Sequence, residues 1–397
     1  MMNFFWKENH MIYVKIHYNR YYIFKDLVIM IKLIEKLIII EVKKLKRFDE
    51  RDHMFSRMNY KKGTKEYEDY YKRHPELKNI DDDLREMPEL GGEGTVTFSN
   101  INSPIINANF RFLSDIKELS EGNINEVKQE IDVEKMNFKL KELAQIYGSD
   151  LIGICEMKEE FYYSHRGRES KHYGNKIKKF HKYGIVFAVE LKKDFIMRAP
   201  QLPEAIATVK GYTDVGIIGM ILSYYIRELG YDARNHMDGN YLAIAPLVAV
   251  EAGLGELGRS GLLVTKEFGP RVRLGIVTTD MPLTPDGKID FGLQKFCEEC
   301  GLCARTCPGK SISKTSKEMV DGVLRWKINM EECYRRWRSL GTDCGICLCN
   351  CPFSMGIEIN KIDRIKTNPE IINDIIKEYK DEYGVRPIIR TKLPIEE

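Results

Sequence analysis

The chain has 397 residues, 43% of them apolar and 30% charged, with a formal net charge of +3. That length supports two or three domains with a substantial core. So small a charge, with no basic–aromatic array, excludes a DNA-binding protein.

In chain order, the first feature is an apolar run, LVIMIKLIEKLIIIEV (27–42), interrupted by Lys32, Glu35 and Lys36. It is too short to span a bilayer and lacks a small-residue cleavage site, so no membrane association or secretory signal is expected. It reads in two ways: as an interfacial amphipathic helix, or as part of a 1–53 segment lying upstream of a true start at Met54 or Met58. Residues 54–130 read as a wrapping region. Within it, 60–90 is polar, rich in tyrosine and broken by Pro75 and Pro88, which predicts short helical pieces, and GGEG (91–94) predicts a turn.

From 131 to about 290 helical and strand patterns alternate. EVKQEIDVEKMNFKLKELAQIYG (126–148) predicts a helix. DLIGICEM (150–157), KYGIVFAVEL (182–191) and VRLGIVTTDMPL (272–283) predict buried strands, being short, β-branched and bounded by turn residues. VGIIGMILSYYIRELG (215–230) predicts an apolar helix ended by Gly230. The fold class is α/β or α+β. A cysteine-rich segment spans 291–356, and 357–397 reads as a tail of one or two amphipathic helices.

Nine of the ten cysteines lie between 297 and 351, at ligand spacing rather than in the pattern of a disulfide framework. FCEECGLCARTCP supplies Cys297, Cys300, Cys303 and Cys307 followed by Pro308, the full CxxCxxCxxxCP run of bacterial two-cluster ferredoxins. In such proteins the first three thiolates hold one [4Fe–4S] cluster and the fourth reaches the other. Zinc normally takes two separated CxxC knuckles instead. A second motif, CGICLCNCPF, has Gly341 where its first cysteine would stand. By the crossing rule Cys351 joins Cys297, Cys300 and Cys303, while Cys307, Cys344 and Cys347 need a fourth ligand. Cys349 lies two residues from each of Cys347 and Cys351, which serve different clusters, so its side chain should point away from both. Cys333, eleven residues before Cys344, is the favoured ligand. Two [4Fe–4S] clusters make an electron wire, and the other 330 or so residues must hold what it feeds.

GYTDVGIIGMILSYYIRELGYDA (211–233) and AGLGELGRSGLLVTKEFGPRVRLGIVTTDMPLTPD (252–286), leading into the first cysteine run, resemble the corrinoid-dependent reductive dehalogenases. YYKRHPELKNIDDDLREMP does so as well, and the likeness covers about 67–356. The related epoxyqueuosine reductases usually carry GLGWIGKN-type text where this chain has GLGELGRS.

The resemblance implies a nitroreductase-like corrinoid-binding domain over 131–290, followed by a two-[4Fe–4S] ferredoxin domain over 291–356. It implies base-off cobalamin, electrons from an external donor such as ferredoxin or flavodoxin, and reductive cleavage of a carbon–halogen or C–O bond in a small molecule. It supports Cys333, since the family's second cluster takes an upstream cysteine. It makes Tyr212 the proton donor and Arg273, with Arg271 second, the cation that steadies the phenolate. It makes Asn240 a polar lining residue, with Asn235 or Asp238 as substitutes because NHMDGNYLAIAP departs from the family's text. Gly253, Gly255, Gly258 and Gly261 are read as allowing close approach to the corrin ring or tight turns, not as a dinucleotide fingerprint. His236 is read as structural. The missing twin-arginine leader gives an expected cytoplasmic location. Two other classes stay open: an epoxyqueuosine-reductase-like enzyme acting on a nucleoside in tRNA, and a non-catalytic ferredoxin-type carrier.

Overall fold

The run GIVFAVE is apolar at nearly every position because its strand is covered on both faces. The structure, a computed structural model, describes residues 46–396, and the 27–42 run lies outside them. Strands β1 (Leu151–Glu156), β2 (Tyr183–Glu190), β3 (Ala233–His236) and β6 (Val272–Thr279) form one antiparallel sheet in the order β1-β2-β6-β3. Along β2, Ile185, Phe187 and Val189 face the helices Val133–Ile146 and Leu202–Glu228. Val186 and Ala188 face the helix Ala245–Glu251. The period-2 alternation of a strand puts apolar side chains into two cores at once.

Three of the four strands stand where the sequence predicts them. The fourth, β3 (ARNH), is polar in text, and it is buried because its side chains are paired inside the protein. Asn235 donates from Nδ2 to the Gly216 carbonyl at 3.1 Å, and His236 Nε2 lies 2.9 Å from Thr278 Oγ1. The helix predicted from 126 starts only at Val133, where the Asp132 side chain caps it by accepting from the Lys135 N–H. The helix predicted from 215 starts at Leu202 instead. Among the described residues it alone is long and apolar enough to cross a membrane, but two thirds of its most apolar stretch is buried against the sheet and its neighbours. It is the core helix of the α+β layer.

The short hairpin β4 (Glu256–Leu257)–β5 (Leu263–Val264) precedes the cysteine segment, and β7 (Glu318–Val320)–β8 (Val323–Arg325) lies inside it. The tail helices Ile359–Ile365 and Ile371–Tyr383 share one core with that segment, in which Ile362, Ile372 and Ile375 meet Phe296, Leu302 and Phe353. The 54–100 region clasps the helix Met330–Leu340, which carries Cys333. Phe55 packs on Tyr334 and Trp337, Arg338 donates to the Pro88 carbonyl at 2.6 Å, and Thr97 N–H bonds the Leu340 carbonyl at 3.1 Å. A buried Arg57–Asp81 pair (2.6 Å) ties the clasp together.

Candidate redox and catalytic site

The cysteine loops wind so that eight thiols gather in two sets. Burial raises the Cys351 thiol well above its usual range, with Cys297, Cys300 and Cys303 as its charged neighbours. Burial pushes Cys333 up to about 12 beside Cys307 and Cys344, and Cys344 up to about 11. Cys347 adjoins Cys333, Cys344 and Cys307 and also Cys303, so the two sets meet at Cys303 and Cys347. One cavity is lined by Cys297, Cys300, Cys303, Cys347 and Cys351 together with Phe296 and Phe353. Among the described residues no three His, Cys, Asp or Glu side chains close on a single ion. Thiolates on one zinc ion would stand about 3.8 Å apart, given a Zn–S bond of about 2.3 Å. Two sets of four thiols, the first lined by sulfur and aromatic carbon, fit multi-iron clusters in donor chemistry and in number. The Ser311 N–H donates to Cys307 Sγ at 3.3 Å, the kind of bond that steadies a bound thiolate.

Cys349 is set apart. It is fully buried among Ile196, Met197, Ala199 and Ala207, and its thiol donates to the Ile196 carbonyl at 2.9 Å.

Beside the Cys307 set a cluster of charged and phenolic groups gathers around Tyr212, with Asp343 next to Cys333. Tyr212, Arg273, Asp343, Tyr241 and Tyr163 are half-buried and act electrostatically on one another. Tyr212 stands on the Leu202–Glu228 helix and Arg273 on β6, and their approach depends on Gly211. A Cβ there would come within 2.8 Å of Leu191 and 3.0 Å of the Arg273 Cβ. The Arg273 guanidinium stacks on the Tyr212 ring at 3.9 Å. Its Nε has no hydrogen-bond partner among the described residues, which leaves a donor free for a bound group.

Burial raises the Tyr212 pKa, against the pull of Arg273, so the phenol holds its proton. Burial works against the Arg273 charge, but Tyr212, Asp343, Tyr241 and Glu204 outweigh it. Burial, and then Asp343, push the Glu204 carboxyl well above the usual range, and burial raises Asp343 too. Glu204 accepts from Thr342 Oγ1 at 3.3 Å and Thr208 Oγ1 at 3.4 Å, between the Cys344 loop and Arg273. Arg168 donates to Asp238 at 3.2 Å, and both act electrostatically on Tyr212. His53, which caps the first helix of the clasp, sits near this pair, its pKa lowered to about 4, by burial first and Arg168 second.

Of the residues expected here, Tyr212 and Arg273 meet. Arg271 does not join them: it donates to the Ser354 and Leu191 carbonyls at 2.8 Å and pairs with Glu190, so it is a brace. Asn240 is likewise displaced from the expected place. Its Oδ1 accepts from Arg166 (3.0 Å) and Arg234 (2.6 Å), and its Nδ2 donates to the Lys117 carbonyl (2.9 Å). Of its two substitutes, Asp238 is the one beside Tyr212. The glycines have protein neighbours. A Cβ at Gly253 would meet the Gly287 carbonyl at 2.4 Å, and one at Gly255 the Val264 carbonyl at 2.2 Å. Gly258 faces Cys297 Sγ (3.7 Å), and Gly261 has φ +76° beside Ile328. His236, bonded to Thr278 and to the Leu242 N–H, is structural.

Asp343, Glu204, Tyr241, Arg168 and His53 escaped the sequence reading. Asp343 had a signal, adjacency to Cys344. The others come from segments distant in sequence, with nothing local to mark them.

No family model matches the chain. It is 37% identical over 179 residues to the tetrachloroethene reductive dehalogenase of Sulfurospirillum multivorans, covering 43% of this chain and 35% of that one. An epoxyqueuosine reductase of Lactococcus garvieae is also a relative, 29% identical over 150 residues, covering 34% of this chain and 42% of that one. The solved structure of the catabolic reductive dehalogenase NpRdhA in complex with 3-bromo-4-hydroxybenzoic acid superposes with a TM-score of 0.70. It is 23% identical and covers 86% of this chain and 47% of that one, a likeness of fold. The chain spans between a third and a half of the length of these proteins, whose names are those of oxidoreductases.

Proposed function

We propose that the chain is a corrinoid- and iron–sulfur-dependent reductase that removes halide from a small organohalide: the carbon–halogen bond takes up two electrons and a proton and yields a C–H bond and halide. The observation that carries this reading is the Tyr212–Arg273 stack, an acid paired with a cation lacking a hydrogen-bond partner at Nε, next to two sets of four thiols.

Cys297, Cys300, Cys303 and Cys351 would hold one [4Fe–4S] cluster, and Cys307, Cys333, Cys344 and Cys347 the other. The second set lies beside Glu204 and Asp343 and so nearer Arg273. The corrinoid, when bound, supplies the cobalt chemistry that breaks the bond. Tyr212 delivers the proton from its phenol oxygen. Its raised pKa keeps that proton in place until charge develops, and Arg273 then stabilises the phenolate. Tyr163 and Tyr241, which act electrostatically on Tyr212, would help keep bulk water from it.

A second reading, reduction of a nucleoside in tRNA, draws support from the epoxyqueuosine reductase relative. Anaerobic reconstitution with iron, sulfide and cobalamin tests the proposal. About eight irons and one cobalt per chain, with halide release from a haloaromatic and haloalkene panel under reduced methyl viologen, would support it. Iron without cobalt would sink it. Cobalt with turnover only on an epoxyqueuosine stem-loop would transfer it to the second reading.

A further inference from the structure

Arg259, in the GLGELGRS stretch (253–260), is a buried cation, 6% exposed. It lines the cavity of the first thiol set together with Cys297, Cys300, Cys303 and Cys351. Among the described residues its hydrogen bonds all end on backbone carbonyls. Nε donates to Cys297 at 3.0 Å, Nη1 to Ser313 and Thr315 at 3.0 Å, and Nη2 to Glu298 at 3.4 Å. The guanidinium also lies over the Trp326 ring, 4.7 Å from its centroid. Carbonyls and a ring satisfy the donors but leave the positive charge whole, and burial keeps salt from screening it. A buried charge calls for an opposite one. The thiolates of a bound cluster would supply it.

Two further cations stand by the same set. Arg305 donates from Nη2 to the Cys300 carbonyl at 2.6 Å, and Lys380, on the tail helix Ile371–Tyr383, acts electrostatically on Cys300. The nearby acids are matched by lysines: Glu298 pairs with Lys317 at 3.4 Å and Glu299 with Lys295 at 3.0 Å. The second set is poorer in positive charge. Arg336, three residues along the helix from Cys333, acts on Cys344, and its Nε has no hydrogen-bond partner among the described residues. The other charged groups beside that set are the carboxyls Glu204 and Asp343, which add no positive charge in either protonation state.

A reduced [4Fe–4S] cluster carries one more negative charge than the oxidised one, so neighbouring cations stabilise it and raise its reduction potential. We propose that Arg259 holds the potential of the first cluster above that of the second, so that the first cluster fills before the second. The second, beside Arg273 and Tyr212, is then the stronger reductant of the two. The inference rests on the cluster half of the function proposed above and not on the corrinoid half.

The test uses the full chain loaded with both clusters and without cobalamin. It is titrated with dithionite in the presence of redox mediators and followed by low-temperature EPR. The parent should show two resolved one-electron waves. Arg259→Met should move only the upper wave downward. Its reduced-to-oxidised ratio at a fixed potential should fall about tenfold or more, a shift of about 59 mV for one electron. Arg259→Lys keeps the charge and should recover most of that ratio, and Arg336→Gln should move only the lower wave. Because Arg259→Met also strands backbone carbonyls, the exposed pair Arg305→Gln/Lys380→Gln gives a second reading. It should lower the same upper wave by less, and by less again in added salt. A merely structural Arg259 would alter iron content or unfolding temperature and leave the potential of the retained cluster in place. An upper wave unmoved in both Arg259→Met and the surface pair would overturn the proposal, as would a lower wave that follows Arg259→Met. So would coincident waves in the parent. Any of these at about eight irons per chain strikes this inference alone, whereas a chain that takes up no cluster iron would bring down the function proposed above as well.

Discussion

Replacing Arg273 with methionine removes a positive charge 3.9 Å from the centroid of the Tyr212 ring and keeps most of the side-chain volume. At an effective dielectric of about 20, a unit charge at that distance is worth about 4 kcal/mol to a full phenolate. With about half the proton transferred in the transition state, the loss is about 2 kcal/mol, roughly thirtyfold in kcat. Tyr212→Phe removes the acid itself and should cost roughly 10²- to 10⁴-fold. If Arg273 acts through Tyr212, the double variant should be no slower than Tyr212→Phe, leaving a coupling of about 2 kcal/mol in the cycle. The assay is single-turnover halide release from pre-reduced protein, with cobalt and iron contents matched across all four proteins. Multiplicative losses would refute the reasoning, since Arg273 would then act on something other than the phenol.

Cys333→Ala should lose about one cluster's iron on anaerobic reconstitution, whereas Cys349→Ala should retain all of it and lose only about 1 kcal/mol of packing; iron analysis with low-temperature EPR separates the two. Arg271→Ala should lower stability by about 3 kcal/mol by stranding Glu190 and two buried carbonyls. Thermal unfolding would read this, with the Tyr212–Arg273 coupling intact. His53 has a folded pKa of about 4 against 6.5, and its Nδ1 accepts from the Phe55 N–H, so it is neutral when folded. The unfolded chain therefore takes up the proton first: this contribution is fully favourable above about pH 6.5 and declines toward pH 4 by at most about 3 kcal/mol. Denaturant unfolding of His53→Gln across that window should show a shallower loss than the parent, and identical slopes would exclude His53 from the acid limb.

Local chemistry made some features legible. A cluster ligand must be cysteine, and a tight loop fixes its spacing, so CxxCxxCxxxCP could be read without a fold. The isolation of Cys349 followed from the same logic, because neighbours that join different thiol sets leave its side chain no common direction. The strands β1, β2 and β6 were legible because burial on both faces leaves an unbroken β-branched run. In the candidate site, Tyr212 and Arg273 came from a resemblance over short blocks, and alternation along β6 left room for only one of the two arginines to face inward.

What the text could not carry was pairing at a distance. ARNH reads as a loop until Gly216 and Thr278 answer its polar atoms. Asn240 reads as a site residue until Arg166, Arg234 and Lys117 claim its hydrogen bonds. Glu204, 139 residues before Asp343, becomes its neighbour only when the long helix docks beside the Cys344 loop. The sequence by itself determined which thiols stand at ligand spacing and where apolar faces lie, because ligand type and periodicity are local. Tertiary structure decided which charged groups gather around Tyr212, because burial and charge proximity depend on segments the chain brings together only on folding.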